Sequence, residues 1–192
     1  MSIIYDKIIA IANHVIHKAS DRELSGPQFN EKVFADSKIT IPKLNLDRTR
    51  VKIEKESISY HNAPPGISFS LSGNSIIEYA LYDIPITGDI QLFGTLVGRH
   101  IDRQSAYVES SVLHYKEYSN IVITGNDILI NDIKKRVVQL TNKITATLKE
   151  FENDMEQFYE NTLKSNIEAG IESEKIKRDL KSDSESKLNP FI

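Results

Sequence analysis

From Asp127 onward no proline interrupts the chain until Pro190, and apolar residues recur at helical spacing. Ile130, Ile133, Val137, Leu140, Ile144, Leu148, Phe151, Met155 and Phe158 follow one another in steps of 3, 4, 3, 4, 4, 3, 4 and 3 residues. Such steps keep side chains on one face of an α-helix. Asn126 or Asp127 can cap its start. Running at least to Leu163, the helix would be about 50 Å long at a rise of 1.5 Å per residue. A stripe of that length has to be covered by a sheet or by another helix. The 4-4 step at Leu140, Ile144 and Leu148 departs from a heptad. It suits either a straight helix on a sheet or a stutter in a coiled coil.

What precedes this helix supplies a sheet. Residues 3–18 read as a short amphipathic helix through Ile4, Ile8, Ile11 and Val15. Residues 21–37 have little periodicity and read as a connector anchored by Phe29, Val33 and Phe34. From about 38 to 124 the period is mostly 2. Alternating stretches fall at Ile39–Ile41, Val51–Ile53, Ile58–Tyr60, Ile67–Leu71, Ile76–Ile86, Ile90–Val97, Tyr107–Tyr115 and Ile121–Ile123. Turn signals separate them at Asn62–Gly66, Ser72–Asn74 and Gly88–Asp89. About five to seven strands result, in the manner of an antiparallel meander. The expected fold is α+β: a curved antiparallel sheet on one long C-terminal helix, with a short N-terminal helix. Residues 1–165 form a single domain in this reading. Residues 166–192 form a charged tail, helical or disordered, and Gly170 weakens or ends the helix.

Composition excludes several classes of chemistry. The chain has no cysteine, which removes disulfides, thiolate metal sites and cysteine nucleophiles. The net charge of -3 gives no basic footprint for nucleic acid over the whole domain. No apolar run approaches the length of a membrane span. The N-terminal apolar residues are broken by Asp6, Lys7, Asn13 and His14, unlike a secretory leader, so a cytoplasmic location is expected.

Candidate chemistry is sparse. His14 and His17 lie three residues apart on the first helix, as two zinc ligands would, without a third ligand close in sequence. His100 and Asp102 would share a face of a strand, where the carboxylate could orient an imidazole base. His61 and His114 have less context still. Arg48, Arg50 and Lys52 share one parity and could meet an anion, but Glu54 and Glu56 continue the same face. Asp83 and Asp89 make a carboxylate pair of a kind that arises by chance. Asn189-Pro190-Phe191 has the shape of a short linear motif. Phosphate-binding glycine loops, H-E-x-x-H and G-x-S-x-G are missing from the sequence. No cofactor and no enzymatic activity are therefore expected.

The order of elements, with Ile67-Ser68-Phe69-Ser70-Leu71-Ser72-Gly73-Asn74 and Ile84-Pro85-Ile86-Thr87-Gly88-Asp89, resembles the tubular lipid-binding domains. Those are the bactericidal/permeability-increasing protein and synaptotagmin-like mitochondrial lipid-binding families. The resemblance covers roughly residues 1–165. It implies a curved sheet wrapped on a long helix, with acyl chains held in the seam. Val137, Leu140, Ile144, Leu148, Phe151, Met155 and Phe158 are then the candidate binding residues. They would meet an apolar small molecule or lipid, or a protein partner such as a second copy in a homo-oligomer.

Overall fold

The computed structural model describes residues 2–64, 67–68, 73–102 and 105–188, the side chains of Ser2 and His100 excepted. The chain is a mixed helix-and-sheet fold with an open antiparallel sheet of five strands. It divides into two compact units, residues 40–151 and residues 1–39 with 152–192.

In the first unit the strands are β1 (Lys43–Leu44), β2 (Arg50–Ser59), β3 (Asn74–Thr87), β4 (Ala106–Glu109) and β5 (Val112–Ser119). β3 is the centre: β2 and β1 pair with successive parts of one edge and β5 with the other, while β4 lies outside β5. The strand that follows β3 in sequence is thus not its neighbour, and the order departs from a simple meander. The reason is a helix, α4 (Ile90–Val97), in the stretch expected to be a strand. Asp89 caps it, its carboxylate accepting the Leu92 N–H at 3.0 Å. Leu92, Phe93 and Val97 form a buried stripe at helical spacing. Before it, Gly88 adopts φ +86°, and a Cβ there would stand 2.6 Å from the Ile41 carbonyl oxygen, so only glycine fits. β4 and β5 are joined by Ser110 and Ser111, both at positive φ (47° and 64°), the backbone of a two-residue type I′ turn.

The long helix starts as α5 (Asp127–Phe158). Its residues Ile133, Val137, Ile144 and Leu148 share one buried cluster with Ala80, Tyr82, Ile84 and Ile86 of β3, Leu113 of β5 and Phe93 of α4. Leu140 packs against that cluster half-buried. Alternation on β3 explains the arrangement: even-numbered residues from Ala80 to Ile86 face the helices, and odd-numbered ones face away. Thr141 is buried on the helix and satisfies its hydroxyl on the Val138 carbonyl at 3.1 Å. The segments Ile39–Ile41 and Ile121–Ile123 are not strands. Ile123 is instead buried in the turn before α5, where the buried Glu78 carboxylate accepts the N–H groups of Ile123 at 2.7 Å and Thr124 at 3.2 Å. The strand expected at 67–71 is absent at Ile67 and Ser68, and its remaining residues lie outside the described ones.

The second unit is helical: α1 (Ser2–Lys18), α2 (Asp21–Leu24), α3 (Phe29–Ser37), the end of α5, a π-helical turn (Tyr159–Leu163) and α6 (Lys164–Leu188). The expected connector at 21–37 is therefore two short helices. Ser20 and Glu23 form a reciprocal capping box that starts α2. Ile8, Ala12 and Ile16 of α1 are buried, as are Phe29 and Val33 of α3 and Ile167 and Ile171 of α6. The helix does not end at Gly170. That glycine marks a close approach, since a Cβ would meet Ile16 at 3.1 Å. Residues 166–188, expected as a helical or disordered tail, are helical, and Arg178 ties them to the Asp21 carboxylate at 2.8 Å and to the His17 carbonyl at 3.2 Å. From the start of the π turn the buried positions run Tyr159, Leu163, Ile167 and Ile171 in steps of four. Each such step drifts by about 40° on an α-helix of 3.6 residues per turn. The wider π turn takes up one of those steps.

Candidate functional site

The seven residues singled out for ligand or partner binding separate into two sets. Val137, Leu140, Ile144 and Leu148 pack beneath the sheet, and Phe151 is buried at the end of the same unit. Met155 and Phe158 are buried in the helical unit, where Phe158 stacks on Tyr5 with ring centroids 4.5 Å apart. Four surface hollows of 140 to 560 Å³ are lined by residues other than these seven. The stripe is buried apart from the half-buried Leu140, and other surfaces face solvent.

One such surface is the sheet face turned away from α5. Cross-strand register brings Glu54 opposite Tyr79, Tyr79 opposite Tyr118, and Lys116 opposite Leu81. The Tyr79 hydroxyl donates to Glu54 at 2.8 Å, and Glu56 accepts from Lys116 at 2.7 Å and from the Tyr118 hydroxyl at 3.2 Å. The Lys116 ammonium lies 4.7 Å above the Tyr79 ring. Burial and the Glu54 carboxylate push the Tyr79 phenol up to about 12. Hydrogen bonds to Glu56 and Tyr118 raise Lys116 despite its desolvation, the largest opposing influence. On this face Asp83 meets His114 at 2.7 Å, and Tyr107 stacks on the imidazole at 4.7 Å. Neither residue was paired with the other in the sequence. They are 31 positions apart, and only the β3–β5 register joins them.

The other candidates come apart. Gly98–His100 is a 3-10 turn and not a strand, so His100 and Asp102 do not alternate there. Asp102 accepts from Ser105 at 3.2 Å, and Arg103 lies outside the described residues. His17 contacts Glu174 at 3.3 Å, and no group of three potential metal ligands occurs among the described residues. Arg48 sits in a 3-10 turn, while Arg50 and Lys52 share the outer face of β2 with Glu54 and Glu56. Asp83 and Asp89 serve separate purposes, one on His114 and one at the cap of α4. Asn189-Pro190-Phe191 lies outside the described residues.

Two exposed features remain. The first is β2, whose Val51 and Ile53 are 53% and 45% exposed although their β3 partners Tyr82 and Ala80 are buried. The second is the distal half of α6, where Ile176 and Leu180 are 51% and 62% exposed one helical turn apart. Among the described residues, no helix is long and apolar enough to cross a membrane. Compared with protein-family models, curated proteins and solved structures, the chain matches none.

Proposed function

We propose that this chain is a non-enzymatic interaction protein, acting in the cytoplasm, whose working element is the distal half of α6. The carrying observation is the pair Ile176 and Leu180. They are exposed at i, i+4 on a helix from which residues 179–188 bury nothing. The pairs Lys181–Glu185 at 3.7 Å and Lys187–Asp183 at 2.5 Å hold that stretch. Exposed pairs of this kind contribute little, and short helices without tertiary cover are marginal in water. A protein partner that offers an apolar groove with charged rims would cover Ile176 and Leu180 and complete the helix. The other reading, an acyl chain in the seam of sheet and helix, has less support because Ile144 and Leu148 already fill that space.

The test is a photo-crosslinking residue placed at Leu180 in cells that make the protein, with the same residue at Asp183 as control. One discrete protein adduct from position 180 that disappears with Ile176→Ser is the expected result. Adducts that are identical from both positions, or none from either, would refute the proposal. A native mass spectrum that shows a monomer carrying lipid-sized extra mass would return the seam to first place.

A further inference from the structure

The geometry points to a second copy of this chain docking along the free edge of β2, antiparallel and centred on Ile53. This inference does not use α6. β2 is ten residues long and is paired throughout with β3, from Arg50 opposite Asp83 to Ser59 opposite Asn74. Among the described residues it pairs on that side only. Long edge strands are usually blunted by proline, a bulge, very short length or charged side chains, because their unpaired N–H and C=O groups recruit other strands, and of these devices β2 has only the charges, of both signs. β2 contains no proline or glycine, and its register with β3 runs without a bulge.

The two faces of β2 say which strand fits. Towards the helices it carries Val51 and Ile53, both half-exposed at the place where cover of the sheet stops. Away from the helices it carries Arg50, Lys52, Glu54 and Glu56. In a two-fold pairing that continues the sheet with the same face up, residues opposite one another have numbers of equal parity. Centring on Ile53 sets Arg50 against Glu56 and Lys52 against Glu54 of the second copy, each twice by symmetry. Ile53 then meets its own counterpart. Val51 faces the aliphatic stem of Lys55, whose ammonium stays 3.4 Å from Glu78. Sliding by one pleat in either direction puts Lys52 against Lys52 or Glu54 against Glu54 at the axis. Only the centred register matches all four outer-face charges, Arg50, Lys52, Glu54 and Glu56, with their opposites. Each carboxylate has lone pairs left for the second copy's cation besides the Tyr79, Lys116 and Tyr118 donors.

Sedimentation velocity and native mass spectrometry of the full chain test the pairing. The expected result is a reversible dimer, weakened by salt. R50E/K52E turns all four opposite-charge pairs into like-charge pairs and weakens dimerisation by about ten-fold or more. E54K/E56K does the same with the signs exchanged. Mixing the two variants restores the dimer, now strictly mixed, because every opposed pair is again opposite in sign. Circular dichroism checks the fold of each variant, since Glu56 also holds Lys116. Ile53→Cys, the sole thiol in this cysteine-free chain, gives an independent readout. It should form a disulfide dimer on mild oxidation, whereas Ser57→Cys, several pleats from its own counterpart, should not. A chain that stays monomeric at its highest soluble concentration overturns the inference. So does a dimer unmoved by R50E/K52E with equal crosslinking at 53 and 57. A dimer lost only on Ile176→Ser would belong to α6 and likewise exclude the β2 pairing.

Discussion

Ile144→Ala tests whether the seam between sheet and helix is a filled core. Ile144 is fully buried in the cluster of β3, β5, α4 and α5. Removing its outer side-chain atoms takes away their burial and leaves a void that a close-packed interior closes only in part. Substitutions of this kind cost about 2–5 kcal/mol, and complete burial places this one near 3 kcal/mol. Val138, six residues before it and 55% exposed, supplies the control: Val138→Ala should cost under about 0.5 kcal/mol. Leu140→Ala, half-buried, should fall between. The assay is urea unfolding followed by circular dichroism, with the midpoint shifted and the slope unchanged. At about 2–4 °C per kcal/mol for a chain of this size, the thermal midpoint should fall by roughly 10 °C. A loss below about 1 kcal/mol at Ile144, together with an amphiphile released on extraction, would mean that the side chain lines a ligand groove. The assignment of this stripe to the core would then be wrong.

The helical unit and the turn before α5 give two further tests. Gly170→Leu should loosen α1 from α6 and speed amide exchange in both, because its side chain would enter the space of Ile16; unchanged protection would refute the close approach. Glu78 is held below the usual carboxylate range, mainly by the Ile123 N–H and further by Thr124 and Lys55, against its desolvation. A depressed folded value means that its stabilising share is complete above the unfolded value of 4.5 and is lost as pH falls through the folded one. Glu78→Gln should therefore narrow the stability gap between neutral and acidic solution; a wild-type gap retained in full by the variant would remove Glu78 as its source.

The elements legible in the sequence were those with a long, single period. Fifteen or more residues at helical spacing specify α1 and α5 whatever packs on them, and β3 announces itself by alternation from Ile76 to Ile86. The short elements failed for local reasons. Ile90–Val97 is rich in β-branched and aliphatic residues, so it imitates a buried strand, although the Asp89 cap and the 92, 93, 96, 97 spacing were available as signals. Residues 21–37 read as a connector, whereas Ser20, with Glu23, begins a helix there. The outer-face contacts needed the β2–β3–β5 register before Tyr79 could be joined to Glu54 or His114 to Asp83. Burial of Ile144 and its neighbours likewise depends on how far the sheet covers the helix, which periodicity does not encode.

The π turn at Tyr159–Leu163 makes the long helix sensitive to counting. Directly upstream, Met155 and Phe158 are buried in the helical unit, Phe158 against Tyr5. Downstream, the stripe is phased for α1 and α3. Each residue advances the helix by about 100°. Within the helical unit, a single-residue deletion between Leu163 and Ile167 would turn Ile167 and Ile171 by about 100° relative to Tyr159 and Leu163 and carry polar neighbours into that core, while composition and helix propensity stayed almost the same. The helix therefore behaves like a line of text with a fixed reading frame. It can tolerate many spellings at its exposed positions, but not a missing letter at its centre.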